Sequence, residues 1–251
     1  MSQLFVISLP EATQRRQHVA RQLDRPGVEY QFFDAVDGRK GEHPLLARLN
    51  YARFLSQHGR PALAGEVGCY ASHYLVWERC LALNEPIVVM EDDFELGADA
   101  VESLAVASQL AEQYPFIRLE DTTKKPCVLL WRKGKYQLVR FLKIPQCLTC
   151  YQITPEAARA FIQASSEFSY PVDVFIRNQY LHRVPICGLT PPVVIKASQS
   201  GMGSMIGDRH RLRGPAWSKL TRGAHRIRNA ILNVLTNLHF ALTLDRKKSI
   251  H

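Results

Sequence analysis

Residues 87–96 read IVVMEDDFEL. Four apolar residues, three of them β-branched, have the length and chemistry of a short buried strand. They run straight into Glu91, Asp92 and Asp93. Adjacent carboxylates repel, and burying an unpaired charge costs several kcal/mol or drives its pKa toward neutrality. Strand alternation sets Glu91 and Asp93 on one side and Asp92 on the other. Two acids on one side suit a hard divalent cation such as Mg²⁺ or Mn²⁺, which takes oxygen ligands. The alternative is a solvated acidic turn.

The rest of the chain supplies a frame for that strand. LFVISL (4–9) is an apolar run of strand length, followed by a helical stretch that opens near Thr13 and places Val19 and Leu23 four apart. YQFFDAV (30–36) is a second strand, ended by Asp37-Gly38. Strand, helix, strand in that order predicts a parallel α/β arrangement. Helices are expected near 44–58 and over 65–83, and Asn84-Glu85-Pro86 breaks the second. After a helix near 98–113 come the β-like runs PFIRLE, CVLLWR, YQLVRFL and QCLTCYQI. PEAARAFIQAS and VDVFIRNQYL read as helices, VPICGL and PPVVIK as extended, and Gly-rich 198–208 as a loop suited to closing over a ligand. The expected fold class is α/β, with a mixed central sheet over 1–208 and a separate tail over 209–251. Ligands of open α/β sheets bind beyond the carboxyl ends of strands, where Glu91–Asp93 fall.

Composition bounds the function. The chain has 251 residues, 46% of them hydrophobic, enough for one large core. No stretch approaches the ~18 apolar residues of a membrane span, and MSQLFVISLP lacks signal-peptide features. A cytoplasmic protein is expected, with its six cysteines reduced. Cys147 and Cys150 form a CxxC without the second pair that zinc requires, so they read as strand residues.

Charge is unevenly placed. Residues 209–251 carry ten Lys/Arg and one acid, a net of +9, while residues 1–208 balance to zero. Within the tail, Trp217, Leu220, Ala224, Ile227, Ile231, Val234, Leu238 and Ala241 recur at three- and four-residue spacing beside Lys219, Arg222, Arg226 and Arg228. That pattern predicts a basic amphipathic helix lying on an anionic membrane surface. Packing on the domain or against a second copy are the alternatives. The tail has few aromatics and the domain no excess charge, so nucleic acid is not an expected partner.

Four segments together resemble glycosyltransferase family 25, the lipopolysaccharide and lipooligosaccharide biosynthesis transferases. They are FVISLPEATQRR (5–16), FFDAVDG (32–38), GEVGCYASHYLVWERC (65–80) and VVMEDDFEL (88–96). CYQITPEAARAFI (150–162) with PVDVFI (171–176) is a weaker fifth. The resemblance implies a GT-A-like, Rossmann-type nucleotide-sugar-binding domain. It also implies an inverting transfer of galactose or glucose from a UDP-sugar to a lipid-linked oligosaccharide on the inner face of the cytoplasmic membrane. A divalent metal, Mn²⁺ or Mg²⁺, would balance charge on the departing UDP.

Roles follow from combining the two readings. Asp93, with Glu91, is the candidate metal ligand, and Asp92 the candidate contact to the donor ribose. Asp37 suits the nucleoside, with Ala35 and Val36 lining it; the alternative is a plain Asp-Gly turn. Arg16, or its neighbour Arg15, suits the diphosphate. Ser72 and His73 of the GCxxSH core are donor-side candidates, although His73 also fits a core stripe with Cys69, Val76 and Cys80. Glu66 is a candidate for sugar hydroxyls, and Gly65 and Gly68 for close backbone approach to a ligand. Asp173 is the candidate general base, with an N-cap as its alternative. Lys124 and Lys125 are further diphosphate candidates. The rival readings are a catalytically silent saccharide-binding homologue anchored by its tail, and a metal-dependent phosphoesterase using the same acids.

Overall fold

In a computed structural model, residues 2–24, 28–121, 125–196 and 212–245 are described. The loop 198–208, Lys124, His210 and the basic residues Arg209, Arg211, Arg246, Lys247 and Lys248 lie outside them. The chain divides into two units. The first comprises Met1–Ala35, Tyr74–Ile162 and Val184–Met202; the second comprises Val36–His73, Gln163–Arg183 and Gly203–His251.

The first unit is built on an eight-stranded mixed sheet of order β2-β1-β3-β8-β5-β9-β7-β6. Its strands are β1 (Gln3–Ser8), β2 (Gln31–Asp34), β3 (Ile87–Glu91), β5 (Phe116–Arg118), β6 (Cys127–Lys133), β7 (Tyr136–Phe141), β8 (Cys150–Ile153) and β9 (Cys187–Thr190). β4 (Phe94–Leu96) pairs antiparallel with β10 (Val194–Lys196) in a small second sheet. β1 runs parallel to both β2 and β3, as strand–helix–strand order requires, whereas β8 runs antiparallel to β3 and β5. The mixed sheet expected from the sequence is therefore present.

Burial explains the central strands. Residues 87–90 of β3 are all buried, consistent with a strand covered on both faces. Helix α1 (Thr13–Leu23) turns Val19 and Leu23 into one core, joined by Leu104, Ala107 and Leu110 of α4 (Ala100–Leu110). An aromatic layer is also present: Trp77 packs edge-on to Phe161, Phe116 stacks on Tyr151, and the Trp77 indole donates to Tyr151 Oη at 3.0 Å.

The second unit packs α2 (Tyr51–His58), the front of α3 (Ala64–Leu83), α6 (Val172–Arg177) and α7 (Ala216–Phe240). Tyr70 stacks on Phe168 with ring centroids 4.1 Å apart and also meets Phe175. The helix expected near 44–58 is two elements, a 3₁₀ turn at Pro44–Arg48 and then α2. The Asn50 side chain caps α2 by accepting from Arg53 N at 3.0 Å, which fixes the break between them. VDVFIRNQYL yields only the six residues of α6, between α5 (Pro155–Ala164) and β9.

Candidate active site

β1, β2 and β3 end together. Their parallel registers set Ser8 beside Asp34 and Ile7 beside Glu91. The order β2-β1-β3 makes the gap between β1 and β3 a topological switch point, the place where open α/β sheets bind ligands. The acidic residues lie at that edge. β3 stops at Glu91, and Asp92 and Asp93 form the bend into β4. Strand alternation therefore does not divide their roles, which corrects the sequence argument. Their neighbours divide them.

Asp92 is buried and bridges the switch point. It accepts from Ser8 Oγ of β1 at 2.7 Å and from Arg15 Nη1 of α1 at 2.5 Å. Both partners of that ion pair are about nine-tenths covered, with side-chain exposures of 11% and 10%. Asp93 is half-buried, and its carboxyl is pushed up from the ordinary 3.8 to about 6. Burial is the leading cause, the charge of Glu91 adds to it, Arg15 opposes, and Asp92 adds further. The edge thus gathers three carboxylates beside Arg15, whose guanidinium pairs with Asp92. Glu91 and Asp93 offer hard oxygen donors there, a donor set that fits Mg²⁺ or Mn²⁺.

Arg16 is held within the protein. It donates to Leu9 O at 3.2 Å, to Ser8 O at 3.0 Å and to the Asp34 carboxylate, with its guanidinium 4.7 Å from the Phe32 ring centre. It ties the ends of β1 and β2 together. Ala35 N donates to Ser8 O at 3.0 Å, so this residue continues the same seam.

The remaining candidates belong to the second unit. Val36 N donates to Ser72 Oγ at 2.9 Å, and Ser72 Oγ donates to Gly68 O at 2.8 Å. A Cβ on Gly68 would sit 2.5 Å from Val36 O and 2.6 Å from Gly38 N. Gly68 therefore serves close approach of backbone to backbone, where the sequence suggested approach to a ligand. Asp37 is gripped by Arg39 through Nε at 2.8 Å and Nη2 at 2.7 Å, which holds its carboxyl below the usual range. Glu66 is buried; both its oxygens accept from Arg60, at 2.7 and 2.6 Å, and one accepts from Leu63 N at 3.0 Å. These bonds anchor the start of α3. His73 is buried on α3, one turn from Cys69. Asp173 lies in the first turn of α6, where Oδ1 accepts from Val174 N at 2.9 Å.

Sequence reasoning missed a buried support beneath the acidic edge. Arg118 donates to Pro145 O at 2.6 Å, to Cys147 O and to Glu120, and Glu120 accepts from Cys150 N at 3.0 Å. Both side chains are under 5% exposed. They clamp segment 145–150, which contains Cys147 at φ 126°. Thr149 O of that segment accepts from Glu91 N at 2.8 Å, so the clamp reaches the acidic edge through one backbone bond. The signal was Arg and Glu two apart inside PFIRLE, where two charges share one face of an apolar strand. A separate cavity of about 780 Å³ opens at the amino ends of the strands, lined by Gln3, Tyr30 and Ser108, and includes none of the candidate residues.

Comparison with known proteins places this geometry in a family. The model of glycosyltransferase family 25 (LPS biosynthesis protein) matches residues 1–176. The lacto-N-neotetraose biosynthesis glycosyltransferase LgtB of Neisseria meningitidis serogroup B is 28% identical, over 94% of this chain and 93% of that protein. LgtB of Neisseria gonorrhoeae is 30% identical over 92% and 91%. A glycosyltransferase 25 family member of Aedes aegypti is 36% identical over 37% of this chain, which spans only 16% of that longer protein. With the family model covering most of its length, and the matched segment carrying the acidic edge, the chain belongs to glycosyltransferase family 25 and is a glycosyltransferase.

Proposed function

We propose that this chain moves a hexose, galactose or glucose, from a UDP-sugar to a lipopolysaccharide or lipooligosaccharide core acceptor, with inversion at the anomeric carbon, on a GT-A-like domain. The observation that carries this reading is the cluster of three carboxylates at the end of β3, where burial and the acidic neighbours push Asp93 up to about 6. Glu91 and Asp93 would hold Mn²⁺ or Mg²⁺. When bound, the ion supplies counter-charge for a diphosphate leaving group. Similarity along nearly the whole chain to proteins named for lacto-N-neotetraose biosynthesis supports an oligosaccharide acceptor. The family description, LPS biosynthesis protein, supports a lipid-borne one, which this proposal has the enzyme meet at the cytoplasmic face of the membrane.

The chain's own residues have definite tasks in this proposal. Asp173 takes the proton of the attacking acceptor hydroxyl as that oxygen bonds the anomeric carbon and the bond to UDP breaks. Asp37 faces the nucleoside. Arg16, Ser72, Glu66 and Asp92 act mainly by fixing the backbone around the donor, since each is already engaged with protein partners. Ala35, Val36 and His73 shape the donor side.

Calorimetric titration of UDP with Mn²⁺, and again with EDTA, tests the first half. Product analysis with UDP-galactose and UDP-glucose tests the second. Metal-dependent UDP binding is expected, together with an inverted glycoside that Asp93→Ala and Asp173→Asn each abolish. UDP binding that ignores EDTA would remove the cation from the account. Saccharide binding without turnover would favour the silent homologue, and release of inorganic phosphate a phosphoesterase.

A further inference from the structure

Helix α7 is amphipathic in the opposite sense to an ordinary surface helix. Its protein-facing side is mostly polar, with Phe240 buried at its carboxyl end. Thr221 Oγ1 donates to Ser56 O at 2.9 Å, His225 pairs with Ser56 Oγ at 3.1 Å, and Tyr180 Oη donates to Asn229 at 2.8 Å. Asn233 bonds Asn178 at 3.1 Å, and Ser218 and Thr236 are buried. The opposite side carries the large apolar residues. Leu220 is 81% exposed, Ile227 65% and Trp217 50%, and Ile231, Val234 and Leu238 continue the stripe. An amphipathic helix normally turns its apolar stripe to the core. Here polar bonds hold the helix in place and leave that stripe uncovered. At about 1.5 Å per residue, the stripe runs along a helix roughly 37 Å long.

Charge selects the occupant. By helical spacing, exposed Lys219 and Arg226 border the stripe on one side and Arg228 on the other. No acidic residue occurs between Asp208 and Asp245. A second copy packed stripe to stripe would bring like charges together without a counter-charge from either helix. An anionic lipid surface meets both demands at once: acyl chains take the stripe and phosphate headgroups take the cations. Among the described residues no helix is long and apolar enough to cross a membrane. We infer that α7 lies in the plane of an anionic bilayer, with Trp217 at one end of the inserted face. The inference uses the lipid-borne acceptor of the proposed function only to explain its purpose; the geometry stands without it.

The test uses the full chain and co-sedimentation with vesicles of phosphatidylcholine alone or containing phosphatidylglycerol. Binding to the anionic vesicles is expected, with a blue shift of tryptophan emission that Trp217→Phe removes. Leu220→Gln/Ile227→Gln/Leu238→Gln should abolish binding. Lys219→Glu/Arg226→Glu should weaken it by at least about fivefold per cation, and more strongly at low salt. All these positions are exposed, so both variants should keep the wild-type circular dichroism spectrum and the wild-type turnover of a soluble acceptor. That turnover reads the transferase proposal separately. Absence of vesicle binding, or equal binding to neutral and anionic vesicles, would overturn the inference. So would a dimer in sedimentation equilibrium that the triple substitution dissociates, since that would assign the stripe to a second copy.

Discussion

Replacing Asp93 by Asn should stabilise the metal-free protein by a margin that opens above about pH 4 and is complete above about pH 7. The folded-state carboxyl titrates at about 6, against 3.8 ordinarily. The folded state therefore binds more protons than the unfolded chain between those values, and stability falls as pH rises through the interval. The favourable contribution of protonated Asp93 is complete below about pH 4 and gone above about pH 7. At about 1.4 kcal/mol per pH unit, the gap amounts to a ceiling of roughly 3 kcal/mol. Asn cannot ionise and escapes this loss. Denaturant unfolding in EDTA, run on wild type and variant across this range, isolates the effect because titrating groups not coupled to Asp93 cancel in the difference. The variant's advantage should grow from near zero at low pH toward the ceiling above neutrality. Adding Mn²⁺ should then raise the wild-type midpoint and leave the variant's unchanged, since only a bound cation stabilises by mass action. A difference that stays flat with pH, or a variant less stable at high pH, would refute the claim that burial and the acidic neighbours hold the Asp93 carboxyl up.

Other substitutions probe the supports. Arg118→Met should cost about 3–5 kcal/mol in unfolding free energy, because it leaves buried Glu120 without its cation and the carbonyls of Pro145 and Cys147 without a donor; adding Glu120→Leu should recover much of that loss. Ser8→Ala should cost about 1.5–3 kcal/mol by removing the 2.7 Å bond to buried Asp92, measured by the same unfolding assay. Gly68→Ala should destabilise by about 1–3 kcal/mol, since its methyl group meets backbone of Val36 and Gly38. Gly223→Ala, with open space around it inside α7, should instead gain up to about 1 kcal/mol.

What the sequence disclosed and what it withheld follow from the range of the forces involved. Strand order and the acidic edge were legible because they rest on local patterns: the apolar run of β3, Val19 and Leu23 four apart on α1, and Pro86 ending the preceding helix. Partnership was not legible, because it is set by residues far away in the chain. Asp92 looked like a ligand contact until Ser8 and Arg15, 84 and 77 residues distant, were found on it. Glu66 looked available until Arg60 took both its oxygens. Arg118 and Glu120 passed unremarked in the short run PFIRLE, although each is buried and bonded to backbone of segment 145–150.

Helix α7 shows the limit of periodicity most clearly. Three- and four-residue spacing of apolar residues marks a face that avoids water, and nothing in the spacing says what shields it. In α1 the shield is the sheet, and Val19 and Leu23 are fully buried. In α7 the same kind of pattern leaves Leu220 and Ile227 more than half exposed, because Asn229, Asn233, Thr221 and His225 already satisfy the protein side through hydrogen bonds. Rotating α7 to bury its leucines would strip those amide and hydroxyl partners from Ser56, Asn178 and Tyr180, each loss carrying a desolvation penalty of about 1–3 kcal/mol where the partner stays buried. The polar seam therefore fixes the rotation of the helix. Its apolar stripe is held outward by structure, on a helix that carries Lys219, Arg222, Arg226 and Arg228 and no acidic residue.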